Sequence, residues 1–154
     1  METASLSVPD RFRLPEAIGA IEAIAASYGR LLGKPLVDPG ADLLAAIWLA
    51  PRVILAHGVE ADPVFYFGNR AALACFEMDL DTLLATPSRL SAEAPLRAER
   101  QTLLDRVAQY GFIDDYVGVR ISAKGRRFRI ENAVVWTVSD EAGRRIGQAA
   151  AFAP

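Results

Sequence analysis

The segment V-I-L-A-H-G-V-E-A-D-P-V-F-Y-F-G-N, Val53 to Asn69, decides how this 154-residue chain is read. Val53–His57 and Val64–Phe67 are short runs rich in β-formers, and the turn-forming residues of G-V-E-A-D-P join them as a hairpin. Asn69 follows at once, and its side chain is suited to cap a helix running to Phe76. A hairpin that delivers the chain straight into a capped helix divides the sequence into a part before it and a part after it.

Before the hairpin the apolar period is helical. Ile18, Ile21, Ile24, Tyr28 and Leu31 lie on one stripe of a helix from Pro15 to Leu32, with Gly33 placed to end it. Asp38 and Pro39 supply an N-cap and a first-turn proline for a second helix, which stops at Pro51. After the hairpin, Asp79 caps a further short helix, L-D-T-L-L-A. The longest helix is predicted from about Pro95 to Tyr110, with a stripe of Leu96, Leu103, Leu104 and Val107 and a stop at Gly111. Three strands close the chain, about Phe112–Ser122, Arg126–Val138 and Arg144–Phe152. Their turns, A-K-G-R and D-E-A-G, are too short for parallel crossovers, so they form an antiparallel meander.

The predicted class is therefore α+β: a five-stranded antiparallel sheet with helices inserted between strands 2 and 3, plus two N-terminal helices. Residues 1–14 read as a flexible tail. Residues 15–154 form one domain, with N-terminal helices over 15–50 and the sheet core over 53–152. Neither sheet face shows the clean alternation of a wetted one, so helices are expected on both.

Bulk composition sets the outer limits. Hydrophobic residues make up 52% and charged residues 23%, and the net charge of −2 gives no global field to recruit nucleic acid or anionic lipid. One cysteine excludes an intrachain disulfide and leaves too few thiols for structural zinc. The apolar window Leu43–Ala56 is broken by Pro51 and Arg52 and is too short to span a bilayer. With no basic, apolar signal segment at the start, a cytoplasmic protein is expected.

The hairpin G-V-R-I-S-A-K-G-R-R-F-R-I-E-N-A-V-V-W, Gly118 to Trp136, carries five basic residues. A two-residue turn at Lys124–Gly125 sets Arg120 opposite Arg129, Val119 opposite Ile130 and Val117 opposite Asn132. Phe128 and Ile130 then share a face with Trp136, while Tyr116, Arg120, Arg129, Glu131, Gln148 and Phe152 share the other. Facing arginines destabilise a sheet unless something acidic meets them. Glu131, Glu16 or Glu22 would serve, and so would the carboxylate or phosphate of a ligand held by bidentate guanidinium contacts. Asn132, on the apolar face, needs partners as a buried amide.

Many short blocks carry a resemblance: A-H-G (56–58), D-P-V-F-Y-F-G-N-R-A-A-L (62–73), P-S-R-L-S-A-E (87–93), G-F-I-D-D-Y-V-G-V-R-I-S (111–122), G-R-R-F-R-I-E-N-A-V-V-W (125–136) and G-Q-A-A-A-F (147–152). Together they resemble the MEKHLA domain, a PAS-like family found alone in bacteria and at the C-terminus of plant class III homeodomain–leucine zipper regulators. The match runs from about Ile21 to Phe152. It implies a sensory or regulatory module with no settled ligand, and a homodimer, since PAS-like sheets often pair through an exposed face and an N-terminal helix. No basic helix or sustained heptad precedes the domain here, so no DNA-binding role carries over.

The cofactor stays unknown, because no haem or flavin-adduct motif is evident. Light-sensing PAS relatives place their flavin cysteine in an N-C-R-F-L-Q type motif, which this chain lacks. Cys75 reads as a small core hydrophobe and His57, ending a strand, as a structural imidazole. The expected function is a module that binds a small molecule, anionic if the arginines hold it, or a protein partner, without catalysis. The alternatives are a small enzyme using His57 and Cys75, or a structural dimerisation domain. The ligand-binding candidates are Arg120, Arg129, Asn132, Tyr116, His57, Asn69 and Gln148, and a ligand calls for a cavity of a few hundred Å³ between the sheet and the 69–110 helices.

Overall fold

Proline and glycine punctuation fixes the first helix as the sequence predicts. The computed structural model describes residues 5–38, 40, 42–92 and 97–154. In it, helix α1 spans Pro15–Leu32 and ends on Gly33, whose left-handed backbone (φ 72°) lets its N–H reach the Gly29 carbonyl. Helix α2 (Leu43–Leu49) starts later than expected, because Asp42, not Asp38, accepts from the Ala45 N–H. Pro39 lies outside the described residues. Strands β1 (Val53–His57) and β2 (Phe65–Gly68) form the hairpin. Helices α3 (Arg70–Phe76) and α4 (Leu80–Leu83) follow, capped by Asn69 and Asp79. Helix α5 spans Arg97–Tyr110, and Pro95 and Leu96 of its expected first turn lie outside the described residues. Strands β3 (Phe112–Ile121), β4 (Arg127–Ser139) and β5 (Arg145–Phe152) complete the sheet.

The sheet order is β2-β1-β5-β4-β3, antiparallel throughout. The last strand thus lies beside the first, and the fold is the predicted five-stranded α+β architecture. Helix α1 packs on β4 on one side of the sheet, where the Trp136 indole donates to the Ile24 carbonyl at 3.1 Å and meets the Tyr28 ring edge-on at 4.9 Å. Helices α3 and α5 contact the sheet from β1, β3 and β4. No helix among the described residues is long and apolar enough to cross a membrane.

Two expectations need correction. The first concerns the stretch read as a flexible tail. Asp10–Arg13 is a 3-10 turn whose Phe12 is only 3% exposed, with its ring 5.0 Å from Phe67 and 6.2 Å from Trp48. Val8 is buried too, and Trp48 donates to the Ser5 carbonyl. A single aromatic with no periodic neighbours gave no signal, yet burying it stabilises the fold by about 1.5–3 kcal/mol.

The second concerns the register of the β3–β4 hairpin. Its loop holds three residues, Ala123–Gly125: the Ser122 N–H bonds to Arg126 O, and Gly125 takes a left-handed φ of 84°. Arg120 therefore faces Phe128, and Arg129 faces Val119. Further along, Tyr116 pairs with Ala133 but Gly118 pairs with Ile130, so Val117 opposes both Glu131 and Asn132. Asn132 is the extra residue of this bulge, at φ 51°. The bulge moves Phe128 and Ile130 to the face opposite Trp136, where Phe128 packs on Phe76 and Phe152.

Candidate functional site

On the face away from α1, the sheet curls under α3, α5 and the 3-10 turn Ser88–Ser91, leaving a cavity of about 60 Å³. Its apolar walls include Leu55, Phe65, Phe76, Leu103, Ile130 and Phe152. Its polar lining comes from five elements: His57 on β1, Gln148 on β5, Tyr116 and Arg120 on β3, Arg100 on α5, and Ser88 and Ser91 on the 3-10 turn.

Arg120 is only 9% exposed. Its guanidinium donates to the Val119 carbonyl at 3.0 Å and lies 5.2 Å above the Tyr116 ring, a cation–π contact. Gly118 makes that arrangement fit, because a Cβ there would run into the Tyr116 ring and hydroxyl. Arg100 reaches in from α5 and donates to Ser88 Oγ, while Ser91 Oγ donates to the Ser88 carbonyl. Burial, and next the positive charge of Arg120, push the Arg100 guanidinium down to about 10, which leaves it charged at neutral pH. Among the described residues, no carboxylate forms an ion pair with either arginine.

His57, 7% exposed, is held at both ring nitrogens: Nδ1 lies 3.0 Å from the Gly58 carbonyl and Nε2 lies 3.1 Å from Gln148 Oε1. Burial lowers its pKa, and the charges of Arg100 and Arg145 act in the same direction. The contacts to Gly58 and Gln148 oppose that shift, and a neutral ring donates to only one of the two oxygens.

The structure thus brings four of the sequence candidates together, Arg120, Tyr116, His57 and Gln148. It separates the other three. Arg129 lies on the opposite face, exposed and bonded to Glu131 at 2.7 Å, because the three-residue loop shifts the register by one. Asn132 is an exposed bulge residue, not a buried amide. Asn69 is fully buried, but every bond of its amide is already used: Oδ1 accepts from Ile54 N and Ala72 N, and Nδ2 donates to Ile47 O and Arg52 O. Cys75 lies outside the cavity lining, burial pushes its thiol up, and no described bond joins it to His57. That placement provides no nucleophile–base pair.

Arg100, Ser88 and Ser91 escaped the sequence reading. The signal for Arg100 was present, since it precedes Leu103, Leu104 and Val107 at i+3, i+4 and i+7 and so continues the inward stripe of α5. The expected cavity of a few hundred Å³ is also corrected. Phe76 packs edge to face on Phe128 and Phe152 across that space, and the remaining volume is small for a haem or a flavin ring. A larger groove of about 1010 Å³ beside α2, α3 and α4 has mainly apolar walls, and its acidic residues Asp79 and Glu77 already accept from Thr82 N and Ser122 Oγ.

Comparison with known proteins agrees with this topology. The model of the MEKHLA domain matches residues 18–154. The homeobox-leucine zipper protein ATHB-8 of Arabidopsis thaliana is 31% identical over 130 residues, covering 82% of this chain but 16% of that protein. The chain therefore spans about a sixth of the length of the curated relatives it matches. Among solved structures, a PAS domain from Colwellia psychrerythraea aligns with a TM-score of 0.56 and 14% identity, over 70% of this chain and 88% of that one. The photo-excited blue-light photoreceptor Vivid aligns with a TM-score of 0.58 and 14% identity, over 85% and 94%. These likenesses establish a PAS-like fold.

Proposed function

The chain belongs to the MEKHLA domain family, and on that premise we propose that it is a PAS-like sensory or regulatory module that binds a small molecule in the cavity beneath α5, without catalysis. The observation that carries this reading is the convergence of polar side chains from five separate elements on one apolar-walled cavity. A space serving only as core would be lined by groups that need no partner, because each buried charge costs free energy unless it is compensated. Two guanidiniums, an imidazole, an amide and three hydroxyls are a costly lining for mere filling. The volume of about 60 Å³ favours a ligand of a few heavy atoms. The pinning of His57 by Gly58 and Gln148, and a described lining that does not include Cys75, favour binding over chemistry.

Native mass spectrometry of the purified protein, compared with the denatured chain, tests the reading. A mass excess that is lost on denaturation supports it. Equal masses, together with no thermal shift from a panel of small organic acids and neutral amides, would count against it.

A further inference from the structure

Helix α5 is lightly rooted for its 14 residues. Only Leu103 and Val107 of its described side chains are buried, and they pack in a small cluster with Ile113 and Val135, separate from the main core. Across the same contact, α5 presents Arg100 and β3 presents Arg120, two like charges with no carboxylate paired to either among the described residues. This repulsion, eased in part by the negative charge of Asp62, works against the small apolar cluster. Planar guanidiniums match the two oxygens of a carboxylate in a bidentate fork, and Ser88 and Ser91 add hydroxyls at the same wall.

We propose that the cavity takes a small monocarboxylate between Arg100 and Arg120, and that its binding clamps α5 onto the sheet. This rests on the reading of the cavity as a ligand site and names the ligand class and what the ligand does. One negative charge between the guanidiniums replaces their repulsion with two attractions. The clamp then joins β3 to a helix that its own apolar face holds weakly. The cavity of about 60 Å³ favours the smallest carboxylates, formate and acetate, over succinate.

The sole histidine of the chain is a built-in reporter, because His57 lines the same cavity and feels the charge of Arg100. The experiment titrates untagged protein with sodium formate, acetate, succinate and inorganic phosphate at constant ionic strength. It follows the imidazole proton signals of His57 by NMR and amide hydrogen exchange along 97–110. The expected result is a saturable shift with formate or acetate, an upward move of the His57 pKa, and slower exchange in α5. Both effects are lost in Arg100→Gln and Arg120→Gln and kept in Arg129→Gln. Should Arg120→Gln not fold, Arg100→Gln alone carries the test, since its side chain is half-buried and its removal relieves a repulsion.

No saturable response to any anion overturns the proposal, and if native mass spectrometry still shows a bound neutral molecule, the cavity reading stands without it. Saturable binding with unchanged exchange in α5 overturns the clamp. A response that persists in Arg100→Gln and Arg120→Gln overturns the site.

Discussion

His57 on β1 and Gln148 on β5 stand directly opposite each other in the sheet, and their side chains meet at 3.1 Å. Burial holds the His57 pKa below the ordinary 6.5. As pH falls, the unfolded chain therefore takes up this proton first, so its share of stability is full above about pH 6.5 and declines as pH drops through the lowered folded value. Urea midpoints measured from pH 7.5 to 5.5 should fall toward acid, and His57→Gln should flatten that slope. A slope unchanged in the variant would locate the effect elsewhere.

Asn69 joins three elements through one amide, reaching α2 at Ile47, β1 at Ile54 with Arg52 just before it, and α3 at Ala72. Asn69→Ala leaves two buried N–H groups and two carbonyls without this partner. Each unsatisfied group costs about 1–3 kcal/mol, so a total loss above about 3 kcal/mol is expected in chemical denaturation. Asn69→Asp keeps the two acceptor contacts but loses both donors, and should be no better.

The bulge predicts opposite outcomes at one exposed position. Asn132→Gly should leave stability within about 0.5 kcal/mol, since glycine accepts φ 51° freely. Asn132→Val puts a β-branched residue in a left-handed backbone and should cost about 1–3 kcal/mol. Equal midpoints for the two variants would mean that the positive φ is absent in solution.

Trp136→Phe removes the indole donor to Ile24 and part of the contact with Tyr28. A loss of about 1–3 kcal/mol is expected, read as a lower urea midpoint with an unchanged slope. Faster exchange should follow in α1, the helix this indole anchors.

The sequence announced the elements more faithfully than it announced their faces. Pro15, Gly33, Asn69, Asp79 and Gly111 act locally, through cap bonds and backbone angles that neighbouring residues determine, so the boundaries were legible. The hairpin faces depend on a count of residues, and a one-residue error inverts every side chain. Reading Ala123–Gly125 as two residues instead of three placed Arg120 beside Arg129, and the bulge at Asn132 then hid the kinship of Ile130 with Ala133. Both features turn on a residue with positive φ, and Gly125 was visible as one whereas Asn132 was not. The cavity was half legible for the same reason. Its strand residues followed from alternation, but Arg100 and the serines arrive from elements whose docking no local pattern specifies.

Along β4, Val135 lines the cavity while its neighbour Trp136 bonds to the carbonyl of Ile24 in α1. The wall between the chamber and the outer helix is thus one peptide unit thick. Adjacent residues of one strand therefore serve two compartments, Val135 the cavity and Trp136 the contact with α1.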